Sequence, residues 1–220
     1  MNKKAIVIGA TGLVGSELID LLLQDDNFGE IAAFVRRPIL IEHPKLKQHI
    51  IDFAQSGNWQ SLVTGDVLFS ALGTTLRQAK GKANQYRIDY TFQYNFAKIA
   101  AENGVKEYVL VSSAGANAKS MFFYMRMKGG LENAVLQLPF SKIVIIRPAQ
   151  LYGNRKEKRT GENLGLMFTK AMNKIGLIKS FLPIHARTVA RAMINSLKTG
   201  NQHNFYSKNE LFGLTKNFDN

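Results

Sequence analysis

The 220 residues contain no cysteine, which excludes disulfides, thiol nucleophiles and thiolate metal sites. Four histidines, His43, His49, His185 and His203, are scattered without the close spacing of a ligand pair, so no metal is expected. No run approaches the roughly 18 apolar residues of a membrane span. The apolar stretch after Lys3 and Lys4 is too short and too broken by glycine for a secretory signal. These absences lead to the expectation of a cytoplasmic protein with no membrane span. Acids are scarce as well: 16 Asp and Glu stand against 29 Lys and Arg, a formal charge of +13. Such a surplus suits nucleic acid, an acidic membrane surface or anionic small ligands. It is spread along the chain, with one knot at Arg155-Lys156-Glu157-Lys158-Arg159. A diffuse positive surface binds nucleic acid weakly and without selectivity, so no specific nucleic-acid partner is expected.

What is present begins at residues 1–15, MNKKAIVIGATGLVG. Ala5-Ile6-Val7-Ile8 has the composition of a strand buried on both faces. It runs into Gly9-Ala10-Thr11-Gly12-Leu13-Val14-Gly15, a G-x-x-G-x-x-G loop. Val14, Leu18, Leu21 and Leu22 then repeat with the spacing of one helix face. Strand, glycine turn and helix make the first half of a dinucleotide-binding βαβ unit. In it Gly9 permits the tight turn, Gly12 the approach of a pyrophosphate, and Gly15 close packing of helix on sheet. The free N–H groups at the start of that helix would face the phosphates.

Further along, Ile31–Val35 reads as a second strand followed by Arg36-Arg37-Pro38. An NAD-preferring fold usually ends this strand with an acid that takes the ribose 2′-hydroxyl. Two guanidinium groups stand there instead, which suits a 2′-phosphate and favours NADP. A third strand is expected over Gln48–Asp52, with an adenine ring resting at Asp52-Phe53. A fourth, Asp66–Leu72, ends in Gly73-Thr74-Thr75, and an irregular basic stretch follows over 76–83. A long helix is read from Gln85 to Asn103, capped by Gly104, and a fifth strand over Glu107–Ser112. A helix starting near Met121 carries Tyr124 and Lys128, and Lys142–Arg147 is a sixth strand ended by Pro148. Helical patterns near 164–173 and 186–198 and a short strand near 204–206 complete the chain. Six strands alternating with helices predict one Rossmann-like α/β domain, a doubly wound parallel sheet ordered 3-2-1-4-5-6.

With these motifs the chain resembles an atypical, extended-type short-chain dehydrogenase/reductase. The carriers are GATGLVG at Gly9–Gly15, ALGTT at Ala71–Thr75, YVLVSSAGA at Tyr108–Ala116, YMRMK at Tyr124–Lys128 and IIRPAQLYG at Ile145–Gly153. Within that branch it is most similar to the Tat-interacting, oxidoreductase-like group, through Leu72–Thr75, the Lys128-Gly129 pair and the short C-terminal region. The resemblance implies cofactor contacts from Gly9, Thr11, Gly12, Leu13, Val14, Arg36, Arg37, Asp52, Phe53, Leu72, Gly73, Thr74, Lys128 and Pro148. It implies catalysis by Ser113, Tyr124 and Lys128. Two departures stand out. Asp89 occupies a position where extended members commonly carry asparagine, and the large substrate lobe is missing, which leaves a small substrate or lid region over residues 149–182.

The dyad has a physical logic. Residues at i and i+4 share a helix face, so Lys128 can hold its ammonium near the Tyr124 phenol. An ordinary phenol titrates near 10, so lowering that by about 3 units, to let it exchange a proton near neutrality, takes about 4 kcal/mol of differential stabilisation. Tyr94–Lys98 and Tyr152–Lys156 share the spacing, but only Tyr124 follows Ser113 by eleven residues on the helix leaving the fifth strand. Ser112 competes with Ser113, since alternate strand residues face opposite sides. Two functions remain open at this point. One is an NADP-dependent oxidoreductase moving hydride between nicotinamide and a small carbonyl or alcohol. The other is a dinucleotide-binding redox sensor or assembly protein without substantial catalysis. The segment 164–182 is expected to cap the cleft or form a subunit contact, which admits a homodimer.

Overall fold

The computed structural model of the chain describes residues 2–153, 183–200, 203–207 and 209–216. Seven strands form one sheet: β1 (Lys3–Ile8), β2 (Phe28–Val35), β3 (Leu46–Ile50), β4 (Val67–Ser70), β5 (Glu107–Val111), β6 (Lys142–Arg147) and β9 (His203–Ser207). Their order is β3-β2-β1-β4-β5-β6-β9 and every pairing is parallel. The expected order holds for the first six, and the short C-terminal strand adds a seventh beside β6.

Both faces of the sheet are covered, which is why the strands read as near-continuous apolar runs. Side chains alternate: Ala5 and Val7 join one core with Leu18, Ile19 and Leu22 of α1 (Leu13–Gln24) and Val189 and Met193 of α6 (Ala186–Asn195). Ile6 and Ile8 join the opposite core with Phe96 of α4 (Gln93–Glu102) and Leu131 of α5 (Phe123–Val135). The sheet is thus wound on both sides, with α1 and α6 on one and α4 and α5 on the other.

The strand order reverses between β1 and β4, and a parallel sheet sends every C-terminal strand end to the same edge. Ligands of such sheets sit in the crevice at that reversal. Here it gathers the loops after β1, β4, β5 and β6.

Several stretches differ from the sequence reading, among them a C-terminal helix (Asn209–Lys216) that it did not include. The irregular basic stretch contains a short helix, α2 (Leu76–Ala79), started by Thr75, whose Oγ1 accepts the Gln78 N–H at 3.2 Å. The long helix is three pieces: α3 (Lys82–Tyr86), a π-helical turn (Arg87–Phe92) and α4. Two-residue strands β7 (Leu151–Tyr152) and β8 (Ile184–His185) pair with each other outside the main sheet. The expected helix at 164–173, the basic knot and all but residues 149–153 of the expected substrate region lie outside the described residues.

Candidate active site at the sheet reversal

Three glycines form the floor. Gly9 has φ +80°, and a Cβ there would lie 2.4 Å from the backbone of Ala71 and Leu72. The first turn therefore lies directly on the chain leaving β4, where only glycine fits. A Cβ on Gly15 would come 2.1 Å from the Gly9 carbonyl oxygen, and one on Gly12 3.1 Å from the same atom. Gly12 starts α1 with no side-chain cap, and the first turn holds no acid. The leading N–H groups of α1 are therefore left for an anion. Thr11 is exposed, Leu13 half-buried and Val14 packed into the core. A Cβ on Gly153, just after β7, would touch Leu13 at 3.4 Å, so the small β7–β8 pair borders the glycine loop.

Arg36 and Arg37 follow β2 directly and are exposed. The register Ile8↔Phe34 sends them off the same edge as the glycine loop. Among the described residues neither forms an ion pair or hydrogen bond. Asp52 lies beyond β3, which ends two residues earlier than expected. Its Oδ1 accepts the Ala54 N–H at 2.9 Å and its carbonyl accepts Trp59 Nε1 at 2.8 Å, so it shapes its own turn. Phe53 is buried among Trp59, Phe92 and Phe96, leaving the turn's backbone rather than the ring at the surface. A groove of about 360 Å³ along the β3 edge, lined by Gln48, His49, Gln55 and Trp59, meets the predicted cofactor residues only at Asp52.

Beyond β5, Ser112 and Ser113 behave differently. Ser112 Oγ is buried without a hydrogen-bond partner among the described residues. Ser113 Oγ donates only a long 3.3 Å bond to the Ala114 carbonyl. The Ala114 N–H donates to the Pro148 carbonyl at 2.9 Å, tying the end of β5 to the end of β6. The loop then folds back on α5: the Asn117 N–H donates to the Met125 carbonyl at 3.0 Å, and Arg126 donates to the Ser120 carbonyl at 2.8 Å. Gly129 allows this approach, since a Cβ there would fall 2.2 Å from Ala118 N. Tyr124 sits half-buried on the first turn of α5, and Lys128 one turn later is 3% exposed. A further turn on, Glu132 takes both ends of the Arg147 guanidinium, at 2.9 and 2.6 Å. Arg147 lies over the Phe205 ring at 4.4 Å.

Sequence reasoning marked Asp89 only as a departure, yet it lies under the site. It is 1% exposed on the π-helical turn, and its Oδ1 accepts the Thr74 N–H at 2.7 Å. Burial pushes the carboxyl up from 3.8 to about 6, against the pull of the Lys128 ammonium, the Thr74 N–H and the Gln85 amide. A carboxyl raised in the folded state stabilises the fold in acid and loses that contribution as pH rises through about 6. At 1.36 kcal/mol per unit, the ionised form costs up to about 3 kcal/mol at pH 8. Asp89→Asn is thus expected to melt with the wild type at pH 4 and several degrees higher at pH 8. Thermal unfolding at the two pH values checks it, and a constant difference between the proteins would contradict the assignment. The signal for this residue in the sequence was an acid inside an otherwise acid-free helical pattern from Gln85 to Ala101.

Fold and loop geometry together define a Rossmann-like α/β fold, and solved structures agree. UDP-glucose 4-epimerase of Thermotoga maritima superposes with a TM-score of 0.71 at 15% identity, covering 97% of this chain and 81% of that one. The Bordetella bronchiseptica enzyme WbmG, in complex with NAD, gives 0.72 at 16% identity, covering 94% and 73%. Sequence comparison is more specific. The HIM1 family model matches residues 43–182. "Protein FMP52, mitochondrial" of Candida albicans is 37% identical over 203 residues, 88% of this chain and 87% of that protein. Its Aspergillus niger namesake is 34% identical over 200 residues, 86% and 85%. The chain belongs to the HIM1 family.

The same relatives overturn the cytoplasmic expectation, because they are named mitochondrial. That expectation rested on the lack of a secretory or membrane-spanning stretch, and such a lack does not distinguish cytosol from mitochondrion. Among the described residues no helix is long and apolar enough to cross a membrane, and no cluster of His, Asp and Glu could hold a metal.

Proposed function

We propose that the chain is an NADP-dependent oxidoreductase that moves a hydride between nicotinamide and a small carbonyl or alcohol. The observation that carries the reading is the glycine cradle and uncapped start of α1 at the sheet reversal, with the serine of the resemblance on the loop after β5 and its tyrosine and lysine on α5. The NAD complexes among its structural neighbours support a nicotinamide dinucleotide. Arg36 and Arg37, which form no ion pair among the described residues, support the 2′-phosphate form. The mitochondrial setting of the FMP52 relatives belongs to the same proposal.

In this reading the nicotinamide supplies or receives the hydride. Thr11, Leu13 and Val14 present backbone N–H groups to the diphosphate, Gly9 and Gly12 let the backbone approach it, and Asp52-Phe53 borders the adenine. Leu72, Gly73, Thr74 and Pro148 line the sugar and nicotinamide side. Ser113 Oγ holds the substrate oxygen and Tyr124 exchanges a proton with it. Lys128, buried one turn from Tyr124, holds its ammonium beside the phenol and the ribose. The finer likeness to the Tat-interacting group, and a substrate or lid role for residues 149–182 in one domain, belong to the same proposal.

NADPH is expected to bind at least tenfold tighter than NADH, about 1.4 kcal/mol, a modest yield for one charge-assisted phosphate contact. Calorimetry with both nucleotides measures the ratio. Equal affinities, or an Arg36→Ala chain that binds NADPH unchanged, would remove the arginine argument. A carbonyl-reductase screen with the preferred nucleotide then tests turnover. NADPH binding with a silent screen assigns the chain the role of a dinucleotide-binding protein instead.

A further inference from the structure

We propose that Asp89 is a positioning residue: its carboxylate clamps the loop after β4 and faces the Lys128 ammonium, so its charge governs how well the dinucleotide cleft is formed. The inference rests on the preceding reading of that cleft.

The geometry is a closed polar ring around the loop. At one end Ser70, the last residue of β4, donates from Oγ to Gln93 Oε1 at 2.7 Å. Gln93 Nε2 donates to the Asp89 carbonyl at 2.7 Å. At the other end the Asp89 carboxylate takes the Thr74 N–H at 2.7 Å. Ser70 and Gln93 are fully buried and Asp89 nearly so. Between the two anchored ends run only Ala71, Leu72 and Gly73, the backbone on which Gly9 lies. The ring therefore fixes the surface against which the glycine turn is built.

The π-helical turn is part of the device. Widening the helix at Arg87–Phe92 lets the Gln93 side chain bond back to the Asp89 carbonyl, and such turns are frequent at functional sites. The surroundings of the carboxyl leave Lys128 as its opposing charge. Gln85 from α3 is neutral, and Tyr90, next along the turn, stacks between Tyr86 and Tyr94. On α5, Tyr124 precedes Lys128 by a turn, and Glu132 is already taken up by Arg147. A neutral amide would close the same ring without the charge. A buried carboxylate that costs stability near neutrality points to a use for the charge itself.

Two readouts test this, one of them in the absence of nucleotide. In ligand-free, ¹⁵N-labelled protein the Thr74 amide resonance should shift with pH, with a midpoint near 6. It should lose that step in Asp89→Asn. Affinity of the wild type for NAD⁺, which lacks the 2′-phosphate that would itself protonate at about pH 6, should fall about tenfold from pH 7.5 to pH 5, the scale of one charge-assisted hydrogen bond. In Asp89→Asn it should stay flat. Gln93→Ala, which keeps the charge and loses the support, should weaken NADPH at every pH. A wild-type Thr74 amide that ignores pH, or an Asp89→Asn chain that keeps the acid-side loss of affinity, overturns the proposal. If the wild type binds neither NADPH nor NADH, the cofactor reading fails, and the Thr74 titration still decides the clamp.

Discussion

Tyr124→Phe is expected to bind NADPH as the wild type does and to turn over a carbonyl substrate about 10²–10⁴-fold more slowly, the usual worth of a positioned proton donor. The substitution removes one hydroxyl from the first turn of α5. It leaves the glycine cradle, Arg36, Arg37 and Lys128 to hold the nucleotide. Lys128→Ala should weaken binding and turnover together, because that ammonium is assigned to both ribose and phenol. Tyr94→Phe is the control. Tyr94 has the same spacing to a lysine, but that lysine, Lys98, is exposed and pairs with Glu102 at 3.7 Å. Its replacement should hardly change the rate. Steady-state kinetics on the first substrate found in the screen measures all three, and a fully active Tyr124→Phe protein would refute the assigned proton donor.

Neighbouring glycines on α5 should respond with opposite signs. A Cβ at Gly129 would enter the backbone of the loop before α5, 2.2 Å from Ala118 N and 2.3 Å from Asn117 C. Backbone cannot give way as a flexible side chain can. Gly129→Ala is therefore expected to cost about 3 kcal/mol or more, roughly 6 °C or more in Tm for a chain of this size. By pushing that loop off the helix it should also lower activity. A Cβ at Gly130 would meet only the Tyr90 ring, at an ordinary 3.5 Å. Gly130→Ala should be neutral or stabilise by up to about 1 kcal/mol, the gain of replacing glycine inside a helix. Thermal melts of the two variants decide the matter, and equal Tm values would show that the loop does not rest on α5 as described.

The sheet was legible because its strands carry a local signal: runs such as Ala5–Ile8 and Lys142–Arg147 are apolar on both faces and end in glycine or proline. The glycine loop was legible for the same reason, its three glycines falling between a strand and an apolar helix face. Features that depend on distant partners were not. The π-helical turn leads into Gln93, which bonds Ser70 twenty-three residues away, a pairing that no helical periodicity announces. Residues 76–79 form a helix through the Thr75 cap and not through an apolar face. Phe53 reads as a residue at a strand end, and only the positions of Trp59, Phe92 and Phe96 show that its ring belongs to the core. Gly129 was visible as half of a Lys-Gly pair, but the close loop packing that requires it was not.

The seventh strand has a consequence for how the chain is made. Ile143–Ile146 of β6 are wholly buried, and among the described residues the backbone of β6 on one side is paired by β9, from Ile143↔His203 to Arg147↔Ser207. Some sixty residues separate the partners, so during synthesis β6 and its packed neighbours precede their cover by several seconds at ordinary elongation rates. Throughout that interval a β-branched edge stands open as a template for strand addition from another chain. Protection of this edge therefore waits for the segment that supplies β9.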